Sequence, residues 1–327
     1  MGELLDLMIC RIPGLRGEDR IELAKKFDKE DDFSLLSKKD IESVLGKVFP
    51  NHSWDMVQIR AMAENDSSVS RKLGIHRVSW RETAYPPLLR EIYDPPLLLF
   101  YRGTLPNPEK PLVAVVGTRK PSQAGAARAF TLGRELGEEG ISVVSGLALG
   151  IDAMAHRGNI EGSASTVAVL GSGPDQVYPS TNRNLARRIL ETGGVILSEY
   201  PPGTGPKKWN FPVRNRIISA LARGVVIVEA PEKSGALITA RCALEQNRDL
   251  WVDSIGVSSC RGRGTARLAE EGAALVSSVR DILAEWNLAG KRNGAPHPDA
   301  AHLDVTHPDA TSTGLASSLA GYLDIEL

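Results

Sequence analysis

The chain has 327 residues, 42% of them apolar and 24% charged, with a formal net charge of -1. This is the composition of a folded protein of two or three domains; it excludes a disordered or fibrous chain, and the charge balance excludes recognition of nucleic acid by overall basicity, leaving only local basic patches. Cys10, Cys242 and Cys260 stand isolated, without CxxC spacing, which argues against a disulfide framework or a zinc site and fits a reducing cytoplasm. No apolar stretch reaches the roughly 20 residues needed to cross a bilayer, and the N-terminus lacks a basic region followed by an apolar run, so neither export nor membrane insertion is expected.

Taken in order, residues 1–72 carry helical patterns separated by polar breaks and are expected to form a small helical domain. Residues 12–17, IPGLRG, lie between two apolar segments there and resemble a helix-hairpin-helix turn, whose backbone N–H groups can hold DNA phosphates; in the plainer reading the glycines only make the turn. Prolines 86, 87, 95 and 96 break residues 74–103 into short apolar runs, as in an extension alongside a main sheet.

From Leu112 the pattern becomes regular. Residues 112–122 read LVAVVGTRKPS: a continuous apolar, largely β-branched run suited to the middle of a parallel sheet, then Gly117, then basic Arg119 and Lys120, then Ser122 as a helix cap. A glycine turn leading into a helix start is a site for phosphate. Further apolar runs at 141–144, 166–170, 195–197, 225–228 and 250–252 alternate with helical segments about 25 residues apart, the rhythm of βαβ units. The expected fold is α/β: an extended Rossmann-like, doubly wound, mostly parallel sheet over residues 73–288, following the helical N-terminal domain. Its site lies where the strands end in small or polar residues, at Gly117, Gly146, Gly171, Glu199 and Glu229. After residue 288 the repeated HPDA of 297–300 and 307–310 reads as a linker, with a short apolar segment at 315–327; its histidines and aspartates match no standard metal spacing, so no metal or other cofactor is expected.

The site chemistry narrows by exclusion. No GxGxxG follows the first strand, no acid ends the second, and no GxxxxGK[ST] occurs, which argues against a nicotinamide enzyme or a P-loop NTPase. Residues 199–216, EYPPGTGPKKWNFPVRNR, read as a long connection in which Lys207, Lys208, Arg214 and Arg216 are interleaved with Trp209 and Phe211. Two readings stand: cations and rings for the phosphates and bases of a single strand, or a structural loop whose arginines pair with acids. Asp152 and His156, four residues apart on one helix face, are either a dyad or a polar pair fixing the helix start. Glu199 and Glu229 are either acid and base of a nucleotide-cleaving enzyme or hydrogen-bond acceptors that shape the crevice, and Ser234 with Gly235 forms a second anion-facing helix start.

These strings together resemble the bacterial DNA processing protein A family (DprA, also called Smf). They are GTR at 117–119, SGLALGID at 145–152 with His156, AVLGSG at 168–173, Tyr178-Pro179 with Asn182, SEYPPG at 198–203, FPVRNRIIS at 211–219 and SGALITA at 234–240. The resemblance implies a non-enzymatic cytoplasmic protein that binds and protects single-stranded DNA during natural transformation and loads the recombinase RecA, acting as a homodimer through its Rossmann-like domain. It implies DNA contacts at Arg119, Lys208, Phe211, Arg214, Asn215 and Arg216. Gly117, Lys120, Gly146 and Ser234 join them as candidates from the strand-end turns. The chain departs from the family at 252–256, VDSIG, where a Val-Pro-Gly turn is usual, and at Ala266, where asparagine is usual; both changes bear on the edge used for dimerisation. An alternative of another class is a nucleoside-monophosphate glycosidase of the related lysine-decarboxylase-like fold, although its Gly-Gly-x-Gly-Thr motif is missing here.

Overall fold

The structure, a computed structural model, describes residues 3–50 and 53–288. The repeat HPDA segment and the apolar 315–327 stretch lie outside the described residues. Within them nine strands form one sheet: β1 (His76–Ser79), β2 (Leu98–Gly103), β3 (Leu112–Val116), β4 (Ser142–Ser145), β5 (Val167–Leu170), β6 (Val195–Ser198), β7 (Gly224–Ile227), β8 (Asp249–Asp253) and β9 (Ala274–Val276). Their order is β1-β2-β6-β5-β4-β3-β7-β8-β9. Strands β3 to β9 pair in parallel, whereas β2 pairs antiparallel with both β1 and β6. The expected extension is therefore an antiparallel pair added to the outer edge.

All five residues of β3 are buried, as the unbroken apolar run demands of a strand covered on both faces. Alternation assigns the sides. Leu112, Ala114 and Val116 join a core with Ile217, Ile218 and Leu237, while Val113 and Val115 join the opposite core with Leu132, Leu136 and Ala155. The first core lies under the helices Asn210–Leu221 and Gly235–Glu245, and the second under Gln123–Glu138 and Ile151–Glu161. Successive strands run outward from β3 to β6 on one side; the chain then crosses back and continues as β7 to β9 on the other. Strand order thus reverses between β3 and β7, and the carboxyl ends of the strands open a crevice there.

Among the described residues, five N-terminal helices, from Glu3–Arg11 to Met56–Leu73, enclose a core of Leu5, Met8, Ile9, Leu23 and Phe33. Leu98 and Phe100 of β2 belong to that same core, while Leu99 faces the sheet core, so β2 is the seam between the helical layer and the sheet. In the IPGLRG turn the N–H of Gly17 donates to the carboxylate of Asp94 at 2.6 Å. A carboxylate from the sheet domain thus takes the position in which a phosphate was considered. No helix among the described residues is long and apolar enough to cross a membrane.

Candidate nucleic-acid interface

The β3 turn is built by local chemistry. Ser122 caps the helix Gln123–Glu138 by accepting the N–H of Gly125, and the N–H of Ser122 donates to Glu229 at 2.7 Å. Glu229 is fully buried and also accepts from the Ser259 hydroxyl, so this carboxylate serves as an anchor beneath the turn. Gly117 is needed for a steric reason: a Cβ there would meet Ile151 and the carbonyl of Glu229 below 3 Å. Arg119 and Lys120 then project into solvent.

The other wall comes from what the sequence suggested was a loop as far as Arg216. It becomes helix at Asn210; Pro212 sits in the first turn, where the missing N–H has no intrahelical acceptor. That change governs where each side chain points. At 100° per residue Phe211, Asn215 and Ile218 share one face, Arg214 turns under the helix, and Val213 and Arg216 turn to the far side.

Between these walls lies a cavity of about 400 Å³. Gly117, Arg119, Lys208, Phe211, Asn215 and Ser234 all line it, together with Asp152 and Tyr178. Arg119 lies over the Phe211 ring at 5.7 Å, and Tyr178 meets the same ring at 5.5 Å. Gly146 lines an adjoining recess of about 50 Å³ with Arg119 and Phe211. The Asn215 amide donates to the carbonyl of Gly235, and Ser234 accepts the N–H of Ala236, which fixes the third wall, the start of helix Gly235–Glu245. Lys120, next to Arg119 in the chain, is exposed and does not line the cavity. Among the described residues, Arg119, Lys120, Lys207 and Lys208 take part in no salt bridge. Two positive charges lining the cavity, Arg119 and Lys208, are therefore left without salt-bridge partners among the described residues.

Two candidates are placed elsewhere. Arg214 is 4% exposed; its guanidinium donates to the carbonyl of Val169 at 2.5 Å beneath Gly146, where any Cβ would overlap it. Burial lowers its pKa to about 10, with Asp152 opposing, so it stays charged. Arg216 faces away from the cavity, holding Glu199 through two contacts of 2.9 and 2.8 Å and Asp94 at 3.1 Å. Burial alone would raise the Glu199 carboxyl, but Arg216, with a smaller contribution from Arg20, outweighs it and holds the carboxyl below its ordinary range. The sequence run of cations and aromatics thus contains two kinds of arginine, separated by helix rotation.

The carboxylate pair considered for catalysis is not assembled at the cavity, since neither Glu199 nor Glu229 lines it. Asp152 does, and it accepts the N–H of Gly146 at 3.1 Å; burial raises its pKa despite Arg214. His156 instead contacts Thr166 through Nδ1 at 2.7 Å, and burial with Arg214 nearby lowers its pKa to about 3. Asp152 and His156 therefore have separate partners, as structural polar groups do. Asp253, at the altered edge, is buried against Arg128 at 2.6 Å and caps the short helix Ser254–Ser258. Tyr178 is a cavity residue that sequence reasoning did not single out as a contact. Its signal was available, because it follows the glycine-rich end of β5 and strand ends line the crevice.

Comparison with known proteins adds a family to this geometry. Residues 76–287 match the family described as DNA recombination-mediator protein A. The chain is 43% identical over 205 residues to the DNA processing protein DprA of Streptococcus pneumoniae, covering 63% of this chain and 72% of that protein. The X-ray structure of S. pneumoniae DprA superposes with a TM-score of 0.69 at 35% identity, covering 85% of this chain and 95% of the other. A structure of DNA processing protein A from Helicobacter pylori, described for its single-stranded DNA binding mode, gives a TM-score of 0.58 at 30% identity over 65% of this chain and 95% of that one.

Proposed function

This chain belongs to the DNA recombination-mediator protein A family, and on that premise we propose that it binds single-stranded DNA in the cavity between the β3 turn and the helix Asn210–Leu221. The observation that carries the reading is the convergence of Arg119 and Lys208, from two separate turns and without internal salt bridges among the described residues, on one cavity beside Phe211. Cations without internal partners attract phosphates and release counterions, and an aromatic ring offers a face to any unpaired base. A duplex presents its bases stacked and paired, so the ring contact favours a single strand. The structure of the H. pylori relative is described for that protein's single-stranded DNA binding mode, which supports the choice of ligand. Protection of incoming DNA, its transfer to RecA during natural transformation, action as a homodimer and a role without catalysis complete the proposal, and family membership supports them.

Fluorescence anisotropy with labelled single- and double-stranded oligonucleotides of one sequence, over a salt series, tests the reading. The expected result is preferential binding of the single strand that weakens linearly on a log–log salt plot; equal binding of the two forms, or none, contradicts it.

A further inference from the structure

A second cavity, of about 510 Å³, lies where the N-terminal helices meet the sheet domain. Its walls include Arg16 and Arg20 from the glycine turn and the helix Gly17–Lys26, Tyr93, and Tyr200, Val213 and Arg216 from the far side of the DNA-site helix and the strand end before it. Acids are present too, but they are already engaged. Glu199 is held by two contacts to Arg216, and Asp94 by Arg216 and the N–H of Gly17. The Gly17 amide, being occupied, offers nothing to a ligand.

What remains open is cationic and aromatic. Arg16 is exposed and takes part in no salt bridge among the described residues. Arg20 reaches Glu199 only at 3.8 Å, and its Nε is buried without a hydrogen-bond partner. Tyr93 is 76% exposed.

This crevice is joined to the main cavity by the segment 200–209. Tyr200 and Pro201 line the crevice at one end, and Lys208 lines the cavity at the other. Between them the backbone is pinned: Gly203 donates to Asp175 at 3.0 Å and Gly173 donates to the carbonyl of Thr204 at 2.8 Å. On the crest stand Lys207 and Trp209, with the ammonium 5.6 Å from a ring that is 61% exposed. Two cations and an exposed ring thus stand next to one another on this segment, the pairing of charge and aromatic face that tracks a single strand without reading its sequence.

We propose that the strand held in the main cavity continues over Lys207 and Trp209 into the crevice, where Arg16 and Arg20 hold its phosphates. The N-terminal helices then form part of the DNA track. This inference rests on the reading of the main cavity, and strand length separates the two. A strand of about 6 nucleotides fills the first site, and one of about 20 reaches both, single domains covering strands on the scale of about 4–16 nucleotides.

Anisotropy titrations of the full chain with both lengths provide the test. Arg16→Ala with Arg20→Ala is expected to weaken binding of the long strand several-fold and lower its salt slope by about 1.4, at roughly 0.7 per lost phosphate contact, while leaving the short strand unchanged. Arg16→Ala alone removes only an exposed side chain, preserves folding, and is expected to lower the slope by about 0.7. A wild-type slope for the long strand in the Arg16→Ala protein, or equal losses for both lengths, overturns the proposal. Failure of the parent reading looks different: the wild-type protein would not bind the short strand at all.

Discussion

Arg119 and Arg216 carry the same charge and lie on either side of the same helix, yet the protein uses them in opposite ways. At the cavity, Arg119 and Lys208, with Lys120 and Lys207 next to them in the chain, face solvent with no carboxylate paired to them among the described residues. Behind the helix, Arg216 is locked between Glu199 and Asp94, and Asp94 in turn holds the N-terminal turn through Gly17. The contrast teaches that a run of basic residues locates a region, whereas the availability of each charge depends on what the fold has placed beside it. A cation already neutralised inside the protein has little to gain from a phosphate. One without a partner gains both the contact and the released counterions.

The largest effect that sharpens this contrast belongs to the paired side. Arg216→Ala leaves Glu199 mostly buried without its cation, and removing one partner of such a pair costs about 3–5 kcal/mol. Denaturant unfolding is expected to report that loss as a lower midpoint, while the folded variant keeps the wild-type salt slope for a single strand of about 6 nucleotides, which occupies the main cavity alone. A reduced slope would move Arg216 to the ligand-binding group.

A smaller effect is expected at the ring. Phe211→Ala should reduce single-strand affinity by about 1–3 kcal/mol, the range for one stacked base, with the salt slope unchanged because no charge is removed. The Arg119 guanidinium also loses the ring it lies over. A slope change in this variant would show that the ring works mainly by positioning Arg119.

Much of the scaffold was legible because continuous apolar runs have few places to go. The LVAVV segment could only be an inner parallel strand; the glycine after it was read as room for a ligand at the backbone, whereas Ile151 and the Glu229 carbonyl occupy the space where its Cβ would stand. Strand β9 was not legible. It has three residues, of which Ala274 and Leu275 are exposed, so it lacks the burial signature that marked the others. The cavity was legible in part: strand ends and a basic turn pointed to Gly117, Arg119, Lys208 and Phe211. Arg214 and Arg216 were grouped with them because residues 199–216 read as one irregular connection. The helix beginning at Asn210 separates them by rotation, and Pro212 hides that start from sequence reasoning because proline usually argues for a break. Glu199 was weighed as a possible acid or base and as an arginine partner; the contact to Arg216 depends on a fold that brings residues 17 positions apart together.

The most direct test of the division between open and occupied cations is the salt dependence of binding to a single strand of about 6 nucleotides by Arg119→Ala with Lys208→Ala, measured beside Arg216→Ala. The account predicts that the double variant loses affinity and about 1.4 from the log–log slope, at roughly 0.7 per phosphate contact, while Arg216→Ala retains the full slope. A folded double variant with wild-type affinity and slope would contradict it.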